Sequence, residues 1–347
     1  MNRKIRSSNE IDMKCYLHIG TEKTATKTIQ SFLHLNREKL LKYGTIFTKS
    51  AGTHNNIKLP LAAYNLTRRD ELTRIYGINS PKTRQTNRQK LIRKLKNEIN
   101  NLHGESVLFS SEHIQSRLIT LKEIRRLKSI LNELGIEDIT IIIYLRKPAD
   151  LANSLYSTAV KYGSLDDSPP PPSQKYFQNI CNHRRTLRKF QSVFRNSTII
   201  PRLFIFNELK GGSILTDFCE TCGLPWQTDF IIPENQNESL SILGIEILRR
   251  INKQLPYIIN GKLNKQRLKI VHYIQEKYSD QKYIMPENIY QQYYSEFQKS
   301  NQWVRKTYFP DRNTLFPLSN IPEETRTDLP SEKIDEIANE LITRGDG

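Results

Sequence analysis

Apolar and polar positions alternate along this chain in a repeating order, a short apolar run followed by a longer amphipathic stretch. The first run opens at Cys15 (CYLHIG) and reads as a strand. In the following IQSFLHLNREKLLKYG, Ile29, Phe32, Leu33, Leu40 and Leu41 recur at helical spacing, and Gly44 supplies a stop, which predicts one helix. Residues 45–48 (TIFT) predict a second strand. Residues 83–101 predict a basic helix that buries Leu91, Ile92, Leu95 and Ile99 and leaves Arg84, Arg88, Arg93, Lys94 and Lys96 on its outer faces. Residues 106–109 (SVLF) predict a strand, with a helical stretch after it through Ile130. Residues 139–145 (ITIIIYL) are apolar almost throughout and rich in β-branched side chains, the pattern of a central strand covered on both faces. Residues 198–206 (TIIPRLFIF) predict one more strand, broken at Pro201. From Asn237-Glu238-Ser239-Leu240 onward the chain is expected to be mainly helical, ending in a helix over 331–344. Strands alternating with helices predict an α/β fold with a largely parallel sheet.

Candidate chemistry collects where strands end. In an open α/β sheet, functional groups lie beyond the carboxyl ends of the strands. After the first strand comes GTEKTATKT, in which Lys23 and Lys27 supply charge and Thr24, Thr26 and Thr28 supply donors. A helix beginning there directs unpaired N–H groups and the positive end of its dipole at the loop, which favours a phosphate or sulfate. Lys27-Thr28 fits the end of a nucleoside-triphosphatase loop, G-x-x-x-x-G-K-[ST], but Thr21 and Thr26 replace both glycines. Glu112 and His113 follow the 106–109 strand, and Arg146 follows the 139–145 strand. Arg146-Lys147-Pro148 opens a helix in which Ser154 lies eight residues after the arginine. Pro148 suits a helix start, Arg146 offers a planar fork of donors, and Ser154 adds a hydroxyl two turns on.

These two motifs resemble those of the sulfotransferase family that uses 3′-phosphoadenosine 5′-phosphosulfate (PAPS). Its bacterial members carry H-I-G-x-x-K-T-G-T-T-S-x-Q, and His18, Ile19, Gly20, Lys23, Thr24, Thr26 and Gln30 fall on that pattern. Ala25 stands where the family has glycine, and Lys27 where a second threonine is usual. Arg146, Pro148, Ser154 and Tyr156 fall on the second motif, R-x-P-x-x-x-x-x-S-x-Y. The resemblance extends from about Met13 to Phe316. It implies a three-layer, P-loop-like α/β fold with helical C-terminal additions, as one domain over 13–347 with 233–347 mainly helical, preceded by a flexible tail over 1–12.

The same resemblance implies transfer of a sulfuryl group from PAPS to an acceptor hydroxyl or amine, with no metal required. Lys23 would neutralise charge on the leaving phosphate, with Thr24, Ala25, Thr26, Lys27 and Thr28 forming the 5′-phosphosulfate loop. Arg146 and Ser154 would hold the 3′-phosphate. The family's base is a Glu or His near the donor sulfate, for which Glu112 is the first candidate and His113 and His54 its rivals. Arg305 and Lys306, in a segment resembling the family's closing segment, are further candidates for donor contacts. Two readings of other classes stay open: a P-loop nucleotide kinase, and a polyanion-binding protein without chemistry.

Composition changes this picture in three ways. With 53 Lys and Arg against 36 Asp and Glu, the net charge is +17, which calls for anionic partners of any kind. Together with the basic helix it leans the acceptor towards an acidic glycan, polysaccharide or glycolipid, a small alcohol or a peptide tyrosine stays open, and no nucleic-acid partner is expected. No apolar run approaches a bilayer-spanning length, and residues 1–14 carry no apolar leader, so a cytoplasmic protein is expected. Four cysteines give no disulfide framework, and the single C-x-x-C at Cys219 and Cys222 lacks the second pair a zinc site needs. Residues 166–173 (DDSPPPPS) show no packing pattern and are expected to form a mobile loop.

Overall fold

The computed structural model describes residues 13–234, 239–279, 281–318 and 327–344. The expected tail over 1–12 and the expected helix start at Asn237 and Glu238 lie outside them. In chain order come β1 (Lys14–His18), α1 (Thr26–Leu35), α2 (Arg37–Lys42), β2 (Thr45–Phe47), α3 (Lys58–Ala63), α4 (Glu71–Ile75) and α5 (Pro81–Leu102). There follow β3 (Ser106–Ser110), α6 (His113–Arg117), α7 (Leu121–Glu133), β4 (Ile139–Leu145), α8 (Pro148–Lys161), α9 (Lys175–Cys181), α10 (His183–Val193) and β5 (Thr198–Leu203). The remaining elements are α11 (Ile214–Thr221), α12 (Ile242–Gln254), the short pair β6 (Ile258–Ile259) and β7 (Lys262–Leu263), α13 (Lys265–Lys277), α14 (Glu287–Tyr308) and α15 (Ser331–Arg344). Two compact units divide the chain, Met1–Arg146 with His183–Glu234, and Lys147–Asn182 with Asn235–Gly347.

The first unit is the expected α/β body. Its five strands are all parallel, in the order β2-β3-β1-β4-β5. β1 therefore lies in the middle, with β3 on one side and β4 on the other, and the order of winding reverses there. Every residue of β4 is buried, as its unbroken apolar run requires. On one face of the sheet, Ile29, Phe32 and Leu33 of α1 and Leu215 and Phe218 of α11 pack with Leu108, Ile142 and Tyr144. The alternate residues Leu17, Val107, Phe109, Ile141 and Ile143 point the other way and are also fully buried, so helices cover both faces. α5 starts where Ser80 and Thr83 form a reciprocal cap with Pro81 at the first position, and α7 starts on the corresponding pair Thr120 and Glu123.

Four expectations need correction. The single helix over 29–44 is two, because the fully buried Asn36 turns its amide to the 230s segment: Nδ2 donates to the Phe32 and Ile231 carbonyls, and Oδ1 accepts from Ile231 N–H. β5 runs through Pro201, which pairs with Ile143; an edge strand has one unpaired side and tolerates a missing N–H. Arg84 is buried and Arg88 half-buried rather than outward. Their guanidinium groups donate to carbonyls at Asn65, Arg68 and Ile78 and at Ala62 and Tyr64, respectively.

The fourth correction falls in the second unit. The 166–173 loop is held there by Tyr156 Oη donating to Asp166 O (3.0 Å) and Tyr293 Oη to Pro170 O (2.6 Å). Helices α8, α9 and α12–α15 contribute to the apolar core of this unit, around Leu151, Tyr156, Ile247, Leu248, Tyr293 and Phe297. No helix among the described residues is long and apolar enough to cross a membrane.

Candidate functional site

Three of the turns singled out in the sequence leave adjacent parallel strands at the same end of the first unit's sheet: residues 19–25 after β1, Ser111-Glu112 after β3, and Arg146 after β4. The first is anchored to β4. Tyr144 accepts from Thr21 through both N–H (3.1 Å) and Oγ1 (3.0 Å), and its own N–H donates to Gly20 O (2.7 Å). Gly20 is required at this point. It has φ 109°, and a Cβ there would stand 3.0 Å from Glu112 Cα, so the glycine is what lets the β3 turn close on the β1 turn.

Beyond Gly20 the loop tightens on itself. Thr24 is buried and its hydroxyl donates to Thr21 O (2.7 Å), so it shapes the loop. Lys23 (φ 62°) and Ala25 (φ 56°) both adopt the left-handed conformation. Ala25 is the N-cap of α1 and provides no side-chain cap to its first N–H groups. Around this uncapped end, Thr26 is buried, Thr28 and Lys23 are half-buried, and Lys27 is exposed. Such an end with two lysines beside it has the polarity and the donors to hold an anion.

Arg146 meets this loop directly. Its Nη1 donates to Lys23 O at 2.6 Å, and its guanidinium lies 5.5 Å from the centre of the Phe204 ring. His183 Nε2 lies 2.8 Å from Arg146 O, and burial holds this imidazole down to about 4, so it is neutral. Behind β4, Tyr144 Oη donates to Asp217 Oδ1 (2.6 Å), which also accepts from Arg202 Nε (3.1 Å). Oδ2 of the same carboxylate accepts from Arg202 Nη2 and from Lys210 N–H (3.1 Å).

On the other side, Glu112 occupies the N-cap position of α6 but makes no side-chain cap. Its Oε2 accepts instead from Gln30 Nε2 (2.8 Å) of α1 and Asn55 Nδ2 (2.9 Å). Gln30 thereby links the helix that follows Lys23 to the carboxylate after β3. The Asn55 loop is locked by its neighbour: Oδ1 of fully buried Asn56 accepts from Ser110 N–H (2.8 Å), and its Nδ2 donates to the carbonyls of Thr48 and Gly52. Gly52 (φ 137°) has no room for a side chain, since a Cβ would fall 2.0 Å from Asn55 O. His18 is buried beside Ser110 Oγ (2.9 Å), and burial lowers it to about 3.

The first unit thus brings together Lys23, Arg146 and Glu112 through direct bonds and shared backbone. His113 opens α6 half-buried, with its Nδ1 buried and without a partner. His54 is exposed and stacks on His34 with ring centres 3.6 Å apart. Ser154 lies on α8 in the second unit, half-buried, and Arg305 on α14 of that unit donates to the carbonyls of Pro310 and Arg312. Sequence reasoning missed Asn55, Phe204, His183 and the Tyr144–Asp217–Arg202 cluster. Only the Asn-Asn dipeptide of the 54–56 loop gave any signal, as a turn-forming pair. The four cysteines are free and buried, and burial pushes the Cys219 thiol up to about 12.

No family model matches the chain. An uncharacterized protein of Archaeoglobus fulgidus is 26% identical over 204 residues, covering 56% of this chain and 52% of that protein. The chain spans about half the length of this curated relative. Among solved structures, it is similar to the crystal structure of a sulfotransferase from Alicyclobacillus acidocaldarius, at 16% identity and a TM-score of 0.37, over 64% of this chain and 85% of that one.

Proposed function

We propose that this chain is a sulfotransferase that moves the sulfuryl group of PAPS to a hydroxyl or amine of an acceptor, in the class of glycans and glycolipids. The observation that carries the reading is the Arg146 guanidinium bonded to the Lys23 carbonyl, which unites the turns bearing the two donor motifs. In the reaction a bond forms from acceptor oxygen or nitrogen to sulfur while the bond from sulfur to the 5′-phosphate oxygen breaks. The two atoms are in line, and the protein's work is positioning and charge stabilisation. Lys23 and the uncapped amides of α1 act on charge growing at the leaving phosphate, with Thr26, Lys27 and Thr28 beside them. Arg146 acts on the 3′-phosphate, with Ser154 as the partner implied by sequence spacing. Glu112, fixed through Oε2 by Gln30 and Asn55, takes the acceptor proton.

Titration with adenosine 3′,5′-bisphosphate and transfer of radiolabelled sulfate from PAPS test this reading. Arg146→Ala should weaken bisphosphate binding by about 30-fold or more, the cost of truncating a charged contact that the bound ligand buries. Lys23→Ala should lower turnover by roughly a hundredfold or more while the variant stays folded by circular dichroism. Binding of ATP with magnesium in preference to the bisphosphate would overturn the assignment in favour of a kinase. One observation favours the reading without chemistry: Ala25 places a Cβ at the left-handed N-cap, where the resemblance calls for glycine. Tight bisphosphate binding without transfer to any acceptor in a cell extract would select it.

A further inference from the structure

Away from the Lys23 loop, the first unit contains a cavity of about 260 Å³ between α3, α5 and the segment that follows α4. Leu61, Ala62, Ile78 and Leu91 give it an apolar wall, and Tyr76 stands at its edge. Five of its twelve lining residues are cationic, Lys58, Arg84, Arg88, Lys90 and Lys94, and none is acidic. The arginines are the informative members. Arg84 is 1% exposed, and its Nε is buried with no hydrogen-bond partner. The rest of its guanidinium donates to carbonyl oxygens at Asn65, Arg68 and Ile78. Arg88 likewise donates to Ala62 O (2.6 Å) and Tyr64 O (3.1 Å), and Arg126 behind it to Ala63 O (2.8 Å) and Tyr64 O (3.0 Å).

Among the described residues none of these three arginines forms a salt bridge. Carbonyl oxygens satisfy donors but do not neutralise charge, and burying charge without a counter-charge is costly. Burial, and then Arg126, pulls Arg88 down to about 10, as expected where cations are crowded. Asp70 offsets part of the Arg84 charge and Glu133 part of the Arg88 charge, but neither carboxylate lines the cavity, so its wall sets five cations and no acid beside an apolar surface.

We infer that this cavity binds a small amphipathic anion, one sulfate, sulfonate or carboxylate head on a one- or two-ring apolar body, with the head towards Arg84, Lys90 and Lys94 and the body against Leu61 and Leu91. The site goes beyond the proposed reaction and does not depend on it.

Anilinonaphthalenesulfonate fluorescence with the full chain tests it, since the dye combines an anionic head with an apolar body. Saturating adenosine 3′,5′-bisphosphate is present throughout, so dye held at the Lys23 loop is not counted. One saturable phase is expected, displaced by naphthalenesulfonate and not by neutral naphthol. The double variant Lys90→Glu/Lys94→Glu, at exposed positions that leave the fold intact, should weaken it roughly tenfold or more. The matched variant Arg93→Glu/Lys96→Glu alters the same charge on faces of α5 that do not line the cavity, and should stay within about twofold. Absence of a saturable phase, equal competition by naphthol, or equal loss in both double variants would overturn the inference.

Discussion

Replacing Asp217 by asparagine tests whether the anchor behind β4 stabilises the first unit. The side chain is fully buried and accepts four hydrogen bonds: from Tyr144 Oη at 2.6 Å, Arg202 Nε at 3.1 Å, Arg202 Nη2, and Lys210 N–H at 3.1 Å. Asparagine has nearly the same shape, yet its NH2 group must face donors that previously met an oxygen. Each buried donor left unmatched costs about 1–3 kcal/mol, and breaking a buried ion pair costs about 3–5 kcal/mol. The Arg202 side chain is 39% exposed and regains part of its hydration, so the lower end applies, about 3 kcal/mol. Urea unfolding followed by tryptophan fluorescence measures this. In a Trp303→Phe background, Trp226 alone reports, stacked on Phe32 with ring centres 5.8 Å apart in the first unit. The pH dependence supplies an independent check. Burial raises the Asp217 pKa, but bonds from Arg202, Tyr144 and the Lys210 N–H more than offset that, so the folded value lies below the ordinary 3.8. Its contribution is therefore complete above 3.8 and is lost as pH falls through the lower folded value. The gap between wild type and Asp217→Asn should be constant from pH 7 to about 5 and shrink below about 4. A gap under about 0.5 kcal/mol at pH 7 would refute the reasoning, because only surface substitutions are that small.

Three further outcomes follow from the same unit. His18 and His183 are held at about 3 and about 4, below the ordinary 6.5, so the unfolded chain binds their protons more readily between those values. Wild-type stability should therefore fall as pH drops from 6.5 towards 4, by up to about 2.7 kcal/mol per pH unit for the pair, and a flat urea-unfolding profile over that window would exclude it. Ala25→Gly removes a Cβ from a left-handed position but loosens the unfolded chain, so stability should change by no more than about 1 kcal/mol. The same substitution should tighten adenosine 3′,5′-bisphosphate binding severalfold by calorimetry, and weaker binding would show that the Ala25 methyl does not obstruct the loop.

Much of the first unit was legible because its strands are coded locally. Ile139–Leu145 is apolar at every position but Thr140 and Tyr144, and it occupies the span its pattern predicts. Ser80-Pro81 and Thr120-x-x-Glu123 are complete helix-start signals within a few residues. What local pattern cannot contain is a polar side chain satisfied from a distance. Asn36 divides a helix because Ile231, 195 residues on, supplies two of the three partners of its amide. Arg84 turns inward because three carbonyls of the 65–78 segment need donors, although its own helix offers an exposed basic face. In the candidate site, residue types and strand-end positions were readable at Lys23, Glu112 and Arg146. The contacts joining them were not, because Arg146 reaches Lys23 across 123 positions and Gln30 reaches Glu112 across 82.

The same distinction explains how a loop lacking the usual glycines attains its shape. Left-handed backbone costs a residue with a Cβ about 1–2 kcal/mol, and Lys23 and Ala25 both adopt it within three residues. Local sequence opposes that conformation, so tertiary contacts must impose it. β4 and the residue that follows it do so at two points: the Tyr144 main chain fixes Gly20 and Thr21 at the loop's entry, and the Arg146 guanidinium holds the Lys23 carbonyl near its exit. Thr24, bonded back to Thr21, closes the turn between them. Arg146 thereby acts on the loop through its main chain, independently of any ligand. A variant at Arg146 should disturb the Lys23 turn even in the free protein, which is why its effect on binding must be read beside Lys23→Ala, where the loop's backbone support is left in place.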